Sequence, residues 1–478
     1  MSTLRTDTLQ TTDSSFTVAV NTIINQAAVD VSITNAFLSD GSKTVSTYAQ
    51  LSNIDVTKFT KAVATGYYAA GDGVLTFWRY DSSDTTTPPD GALVLTSTTG
   101  TGRWKLNHNG VLTTKQAGCR ADGTTDDYIA LGKWFSAVLS KRMAGVISEG
   151  IHKINTATTW DFTPIATLGC NIRGINPNSS VLDFTSVPSG QGTPFQWIGT
   201  GSTALFYMQF GSFGIRTQYQ GVGFRIGKED FTDAWNSCIF DKLLINNQSQ
   251  TNENVSTQLN HILLARIDIV TNGAGSGRPD SIYYPGWGTA LQQRQVLFSH
   301  FVLACGNANK GLYITGPGYN YGNTYHAVDI EEVNYTYLCD APNTLHNNFV
   351  NGTWLGINIF NSTAGRANKM DNLHITTYAG GVVNVSTVGL TFSKPQEYDV
   401  ATPAMAASGT PVVNNTGRVI NVHIGGGTVS AISIGQFGAG PVNLPIGTWS
   451  GMVVRWAPGE SMTLTYSAAP AWLWRALD

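Results

Sequence analysis

The amino-acid sequence predicts an all-β protein whose main body is a parallel β-helix, a solenoid of short stacked strands. Three observations carry that expectation. Short runs rich in Val, Ile, Leu and Phe recur between Gly and Asn clusters from Gly145 to Thr391. No helical pattern separates these runs, as the crossover helices of a doubly wound sheet would. Their spacing of roughly 20 to 25 residues per turn fits about ten stacked rungs.

Composition agrees with this class. Charged residues are 12% and hydrophobic residues 42% of the 478, so much of the rest is Ser, Thr, Asn and Gly. With 28 basic against 31 acidic residues and a net charge of −3, nothing points to a nucleic-acid surface, which needs a basic excess. A neutral or weakly charged partner fits better. The five cysteines, Cys119, Cys170, Cys238, Cys305 and Cys339, are scattered singly without CxxC spacing, so they read as reduced core residues. No cofactor or metal ion is expected. The N-terminal MSTLRTDTLQTTDSS lacks the apolar stretch of a secretory signal, and no window approaches the roughly 18 apolar residues of a membrane span. Synthesis in a cytoplasm, with exit by lysis or on a particle, is the expectation.

Five segments follow in order. Residues 1–60, rich in Thr, Ser, Val and Ala, read as an N-terminal attachment segment. Residues 61–110 read as a small β connector, because Gly66 to Leu106 alternates apolar and polar residues between GDG, PPDG and TGTG turns. Residues 111–144 hold a first strand and the one amphipathic helix, with Thr125 as N-cap, Asp126 and Asp127 in the first turn, and Tyr128, Leu131, Phe135 and Val138 on one face. Such a helix suits the role of lid on the open end of a solenoid. Residues 145–398 are the parallel β-helix, with Asn246 and Asn247 as corner residues able to form amide ladders. Residues 399–478, with strands between Gly-rich turns, read as an antiparallel β-sandwich for trimerisation or carbohydrate binding.

The order of GYYAAGDG, TGTGRWKL and VLTTKQAGCRADGTTDDYIAL resembles the connector and first rung of bacteriophage tailspike depolymerases, which carry a pectate-lyase-like right-handed parallel β-helix. The terminal TLTYSAAPAWLW is similar to the last strands of several such spikes. The likeness covers roughly residues 60 to 400, and it departs at Cys119, Arg120 and Ala121, where the family often has Ala-Lys-Gly. The resemblance implies a homotrimer on a virion tail, docked through its N-terminus onto the tail or another spike protein. It also implies cleavage of a bacterial capsule, O-antigen or exopolysaccharide, without nucleic acid or membrane insertion.

Glycoside hydrolysis usually uses two carboxyl groups flanking the scissile bond. In HAVDIEEVNYTYL the alternation turns Val328 and Ile330 inward and Asp329 and Glu331 outward, and Glu332 breaks the pattern with a bend. Two residues of strand rise give about 6.6 Å, near the low end of the separation in inverting hydrolases. Solvated acids, or acids paired across a trimer interface, satisfy the same alternation. HILLARIDIV supplies a second constellation, Asp268 with Arg266 and His261, which a cross-rung salt bridge explains equally well; His300 reads first as a turn histidine. Sugar rings call for exposed aromatics beside hydrogen-bonding groups. The inserted loop GSGRPDSIYYPGWGTALQQRQ gathers Tyr283, Tyr284 and Trp287 with Arg278 and Arg294, and PGYNYGNTYH adds Tyr319 and Tyr325. Packing of these aromatics on the solenoid is the competing reading. Three functions remain open: an endo-acting hydrolase, a lyase using His261, Arg266 and Arg294, and a binding fibre without catalysis.

Overall fold

The structure, a computed structural model, describes residues 41–201, 203–251, 253–274, 286–362, 368–382, 390–392, 397–435, 442–444 and 452–477. Its contacts divide into two units, one running to Cys119 together with Ala130–Val138, the other comprising Arg120–Ile129 and everything from Leu139 onward. Among the described residues no helix is long and apolar enough to cross a membrane.

The first unit is a five-stranded sheet in the order Lys43–Val45, Lys61–Ala64, Thr76–Asp81, Arg103–Asn107, Val94–Thr96. Trp78 and Trp104 are fully buried in it, and Tyr48 meets Trp78 edge-on at 5.0 Å. The sheet begins well before residue 61, where the sequence reading put its boundary. Thr47 caps a short helix, Tyr48–Leu51, that buries Tyr48 and Leu51, and the strand before it pairs in parallel with Lys61–Ala64. Val, Ser and Thr without periodicity hid this element.

The long helix spans Tyr128–Lys141 and buries Leu131, Trp134 and Val138 as the spacing requires, with Phe135 only half-buried. Its start differs from the expectation. Residues Asp122–Asp126 are extended, the Thr125 hydroxyl donates to Asp122 at 2.7 Å, and Asp126 Oδ1 accepts from the Tyr128 amide at 3.1 Å. Asp127 turns away from the helix, accepts from the amides of Arg120 and Ala121 at 2.7 and 2.9 Å, and lies buried 3.3 Å from His152 Nδ1. This clamp explains how Ala121 holds φ +54, a conformation that favours glycine.

The solenoid is a parallel stack. One inward column runs through Ile172, Phe210, Phe240, Ile267, Phe301, Tyr325 and Phe349, each in register with the next. Within it Phe301, Tyr325 and Phe349 stack face to face at 4.6 and 4.4 Å, a geometry that adds roughly 0.5–1.5 kcal/mol per pair beyond burial. The period is 24 residues from Phe301 to Tyr325 and again to Phe349, as expected, but 38 from Ile172 to Phe210, because the early rungs carry longer connections.

Each rung turns a corner after a short strand, and six such strands, from Ala204–Phe206 to Thr344–Leu345, form their own parallel sheet. The next residue is left-handed on every rung: Tyr207, Ser237, Leu264, Phe298, Gly322 and His346, with φ between 49 and 64°. A backbone ladder holds them, Leu264 N–H donating to Leu297 O at 3.0 Å and Phe298 N–H to Tyr321 O at 2.8 Å. Asn246 and Asn247, expected at such corners, lie instead inside the strand Ile239–Asn247. The buried amide ladder sits just past the corner column. Asn347 Oδ1 accepts from the backbone amide and Nδ2 of Asn323 at 3.1 and 2.9 Å, and its own Nδ2 donates to Asn368 Oδ1 at 3.1 Å and Asn320 O at 3.1 Å.

From Glu397 onward the described strands form two four-stranded antiparallel sheets. Trp456 and Trp474 meet edge-on at 4.9 Å in their core. All five cysteines are free, four buried and Cys170 half-buried.

The amide ladder yields a prediction. Asn347→Ala strands the Asn323 donors and the Asn320 carbonyl in the interior, at about 1–3 kcal/mol for each unsatisfied group. A marked fall in the thermal midpoint is expected by circular dichroism; an unchanged midpoint would show that the ladder contributes nothing.

Candidate active site

The strand Thr324–Cys339 presents the acid pair. Val328 and Ile330 are fully buried, Asp329 is half-buried and Glu331 exposed, so the two carboxylates leave the same face of one strand. Glu332 follows at φ +55, and the register with the next strand slips between Ile330 and Val333, which places the expected bend directly after the pair. The negative charge of Glu331 on the same face disfavours a second charge at Asp329. Burial first, then the Glu331 charge, push Asp329 up from 3.8 to about 6.

The neighbouring rungs shape the space around the pair. In the preceding rung Ala304 lies in register with Asp329 and Gly306 with Glu331, so the floor beneath both acids is made of the smallest side chains. A Cβ on Gly306 would meet Glu331 O at 3.1 Å and Asn272 Oδ1 at 3.3 Å. Below Gly306 the same outward column holds Asn272, Asn246 and Arg216, with Asn272 donating to Asn246 at 3.1 Å. In the following rung Thr353, exposed, stands over Asp329. His326, exposed on the same strand, completes the face. The arrangement is an acid pair over two small residues, with a row of amide and guanidinium groups leading to it along the stacked strands.

The other expected residues divide by place. Arg266, Asp268 and His300 face outward from the same sheet, Arg266 in register with His300 and Asp268 with Val302. Two rungs of about 4.8 Å and two residues of about 3.3 Å separate Asp268 from Asp329, roughly 12 Å between Cα atoms. Burial and Asp241 raise the Asp268 pKa, and no ion pair joins Asp268 to Arg266 among the described residues. The left-handed corner at Leu264 divides Arg266 from His261, whose Nδ1 lies 2.9 Å from Phe231 O. Trp287 is 36% exposed and pairs antiparallel with Ala274 at the base of the inserted loop, and Asn307 O approaches Gly273 and Gly286 on either side of that base. Asn307 follows Gly306, so Gly273 and Gly286 stand close to the column that holds Glu331. Arg278, Tyr283 and Tyr284 lie outside the described residues. Tyr325, expected to touch substrate, is fully buried between Phe301 and Phe349 with its hydroxyl on Gln293 at 2.6 Å. Arg294 and Tyr319 occupy another part of the rung. Ala304, Gly306, His326 and Thr353 were not singled out in the sequence, because only register between rungs brings them to the pair.

The pair makes a stability prediction that needs no substrate. Above its folded pKa of about 6 Asp329 is ionised against Glu331 and partial burial, whereas near pH 4 the folded protein holds it protonated. Stability is therefore lost as pH rises from the ordinary carboxyl value through about 6. Asp329→Asn should match the native protein near pH 4 and exceed its thermal midpoint at pH 7. A variant less stable than native protein at pH 7 would contradict the raised Asp329 pKa.

Comparison with known proteins gives a local match and a general likeness. Residues 44–109 match the family described as phage tail protein small four-stranded beta-sheet domain. No curated protein sequence matches the chain. Among solved structures, the chain is similar to tailspike protein 2 of Escherichia coli O157:H7 bacteriophage CAB120 (12% identity, 92% of this chain and 72% of that one, TM-score 0.39). It is also similar to a tailspike of Acinetobacter baumannii bacteriophage Fri1, described as a capsular polysaccharide depolymerase (12%, 91% and 97%, 0.36). A Pantoea stewartii glycan biofilm modifying enzyme with a tailspike-like parallel β-helix is similar at 10% identity (91% and 70%, 0.37). The chain thus joins a segment matching a phage tail β-sheet family to a parallel β-helix.

Proposed function

We propose that this chain works on the tail of a phage virion, as a homotrimer, binding and shortening a bacterial surface polysaccharide by endo-glycosidic hydrolysis between Asp329 and Glu331. The observation that supports the reaction is the placing of these two acids on one face of a strand, in register with Ala304 and Gly306, with Asp329 raised to about 6. The tail location is supported by the family match of residues 44–109.

The chemistry follows from the two environments. Asp329, raised to about 6, holds a proton that an ordinary aspartate has lost, and donates it to the leaving glycosidic oxygen as the C–O bond breaks. Glu331, exposed, takes a proton from the attacking water, whose oxygen bonds to the anomeric carbon. Their Cα atoms stand about 6.6 Å apart along the strand, so outward rotation of the side chains separates the carboxyl groups enough to admit sugar and water. Asn246, Asn272 and Arg216 offer donors and acceptors to hydroxyl groups along the polymer.

Asp329→Asn and Glu331→Gln should each lower kcat by about 10²–10⁴-fold while sugar binding persists. In the native protein activity should fall as pH rises through about 6, because Asp329 must be protonated. Full activity in both variants, or a rate that climbs between pH 6 and 8, would refute this assignment.

A further inference from the structure

A second polar cluster lies on a different run of the rung, away from the acid pair. Arg225 is on the strand Val222–Ile226, and Arg294 follows the strand Thr289–Gln293. Both guanidinium groups turn to one carboxylate, Glu229, at 3.3 and 3.6 Å. Their side chains are only 13% and 19% exposed, whereas that of Glu229 is 66% exposed. Two sheltered cations therefore share one mobile-ended, solvated anion. Arg225 is anchored by Nε donating to Gln258 at 2.8 Å, and the row continues with Gln258 donating to Gln292 at 2.6 Å. Arg294 lies 4.8 Å over the ring of Phe231 and, among the described residues, donates no hydrogen bond shorter than its contact with Glu229. Burial, and then the Arg294 charge, lower the Arg225 pKa against the opposing pull of Glu229.

The next rung closes one side. A Cβ on Gly316 would stand 3.4 Å from Arg294 Nε and one on Gly318 2.6 Å from Arg294 O, so these glycines let the loop lie against the arginine. That loop ends at Tyr319, which is 54% exposed and whose carbonyl accepts from Val296 at 3.1 Å. Two sheltered guanidinium groups on one solvated carboxylate, with the exposed Tyr319 on the loop that lies against Arg294, suit a sugar bearing a carboxylate: the guanidinium groups take the anion and an aromatic ring takes the apolar sugar face.

We infer that Arg225, Arg294 and Tyr319 form a non-catalytic subsite for an acidic polysaccharide, in which a uronate carboxylate replaces Glu229 between the two guanidinium groups. The inference deepens the proposed function by naming an anionic polymer, but it concerns binding alone. It is therefore tested on the full chain carrying Asp329→Asn, so that failure of cleavage and failure of this subsite are read separately.

The probes are oligomers of galacturonate and glucuronate, the same oligomers with carboxyl groups reduced to alcohols, and inorganic phosphate, titrated calorimetrically at low and high salt. Binding of at least one acidic oligomer, weakening with salt and about tenfold or more with Arg294→Ala, Arg294→Lys or Arg225→Ala, is expected. Glu229→Gln, which removes the competing anion without truncating an arginine, should tighten it. Reduced oligomers should bind much more weakly. Equal binding of acidic and reduced oligomers, no acidic binding at millimolar concentration, or no response to Glu229→Gln would overturn the subsite. Phosphate competing as strongly as the oligomers would reduce it to a bare anion site and overturn the sugar assignment.

Discussion

The structure depends on in-register stacking of one rung on the next. Each rung donates and accepts backbone hydrogen bonds along parallel strands, so a residue inherits its direction from the residue below it. The corners make this inheritance strict. Tyr207, Ser237, Leu264, Phe298 and His346 are left-handed without being glycine, a conformation that carries strain for side-chain-bearing residues. It persists because amides on the short strands hold the next rung's carbonyls and because Asn323, Asn347 and Asn368 lock the following position.

That same register assembles the candidate site. Strand pleat alone puts Asp329 and Glu331 on one face, but they stand over small residues because Ala304 and Gly306 occupy the matching positions one rung earlier. The pair also opposes the fold's own preference, since a half-buried carboxyl beside another acid is ionised at neutral pH at the expense of stability. A strain of this sign, on an exposed face where two solvated acids at full separation would cost nothing, fits a group placed for proton transfer.

Much of this was legible in the sequence, and the failures have definite causes. The solenoid was readable from apolar runs without intervening helices, and the acid pair from period-two alternation within one strand. The Glu332 bend was readable as a break in that alternation. Tyr325 was misplaced because a register shift opposite Val302 and Ala304 changes the inward positions from Tyr325 to Val328 within one strand. The helix start was misread because Thr125 favours a cap, yet its hydroxyl serves the extended turn before the helix, and Asp126 accepts from the Tyr128 amide instead. Ala304 and Gly306 were hidden because the register slips between Val302 and Ala304, so that each pairs 25 residues on, with Asp329 and Glu331, where Phe301 pairs 24 on with Tyr325. Left-handed corners built from Leu264 and Phe298 give no glycine signal at all.

The central claim is that the paired carboxyl groups hydrolyse a glycosidic bond. It is tested most directly by incubating the purified protein with capsular, O-antigen and exopolysaccharides from a panel of bacterial hosts, following chain length by gel filtration and the ultraviolet absorbance of new double bonds together. Shortening of a polymer without absorbance is the result this account predicts. Shortening accompanied by absorbance would mean elimination by a different set of residues, and intact polymers across the panel would mean a fibre that binds without cutting; either contradicts it.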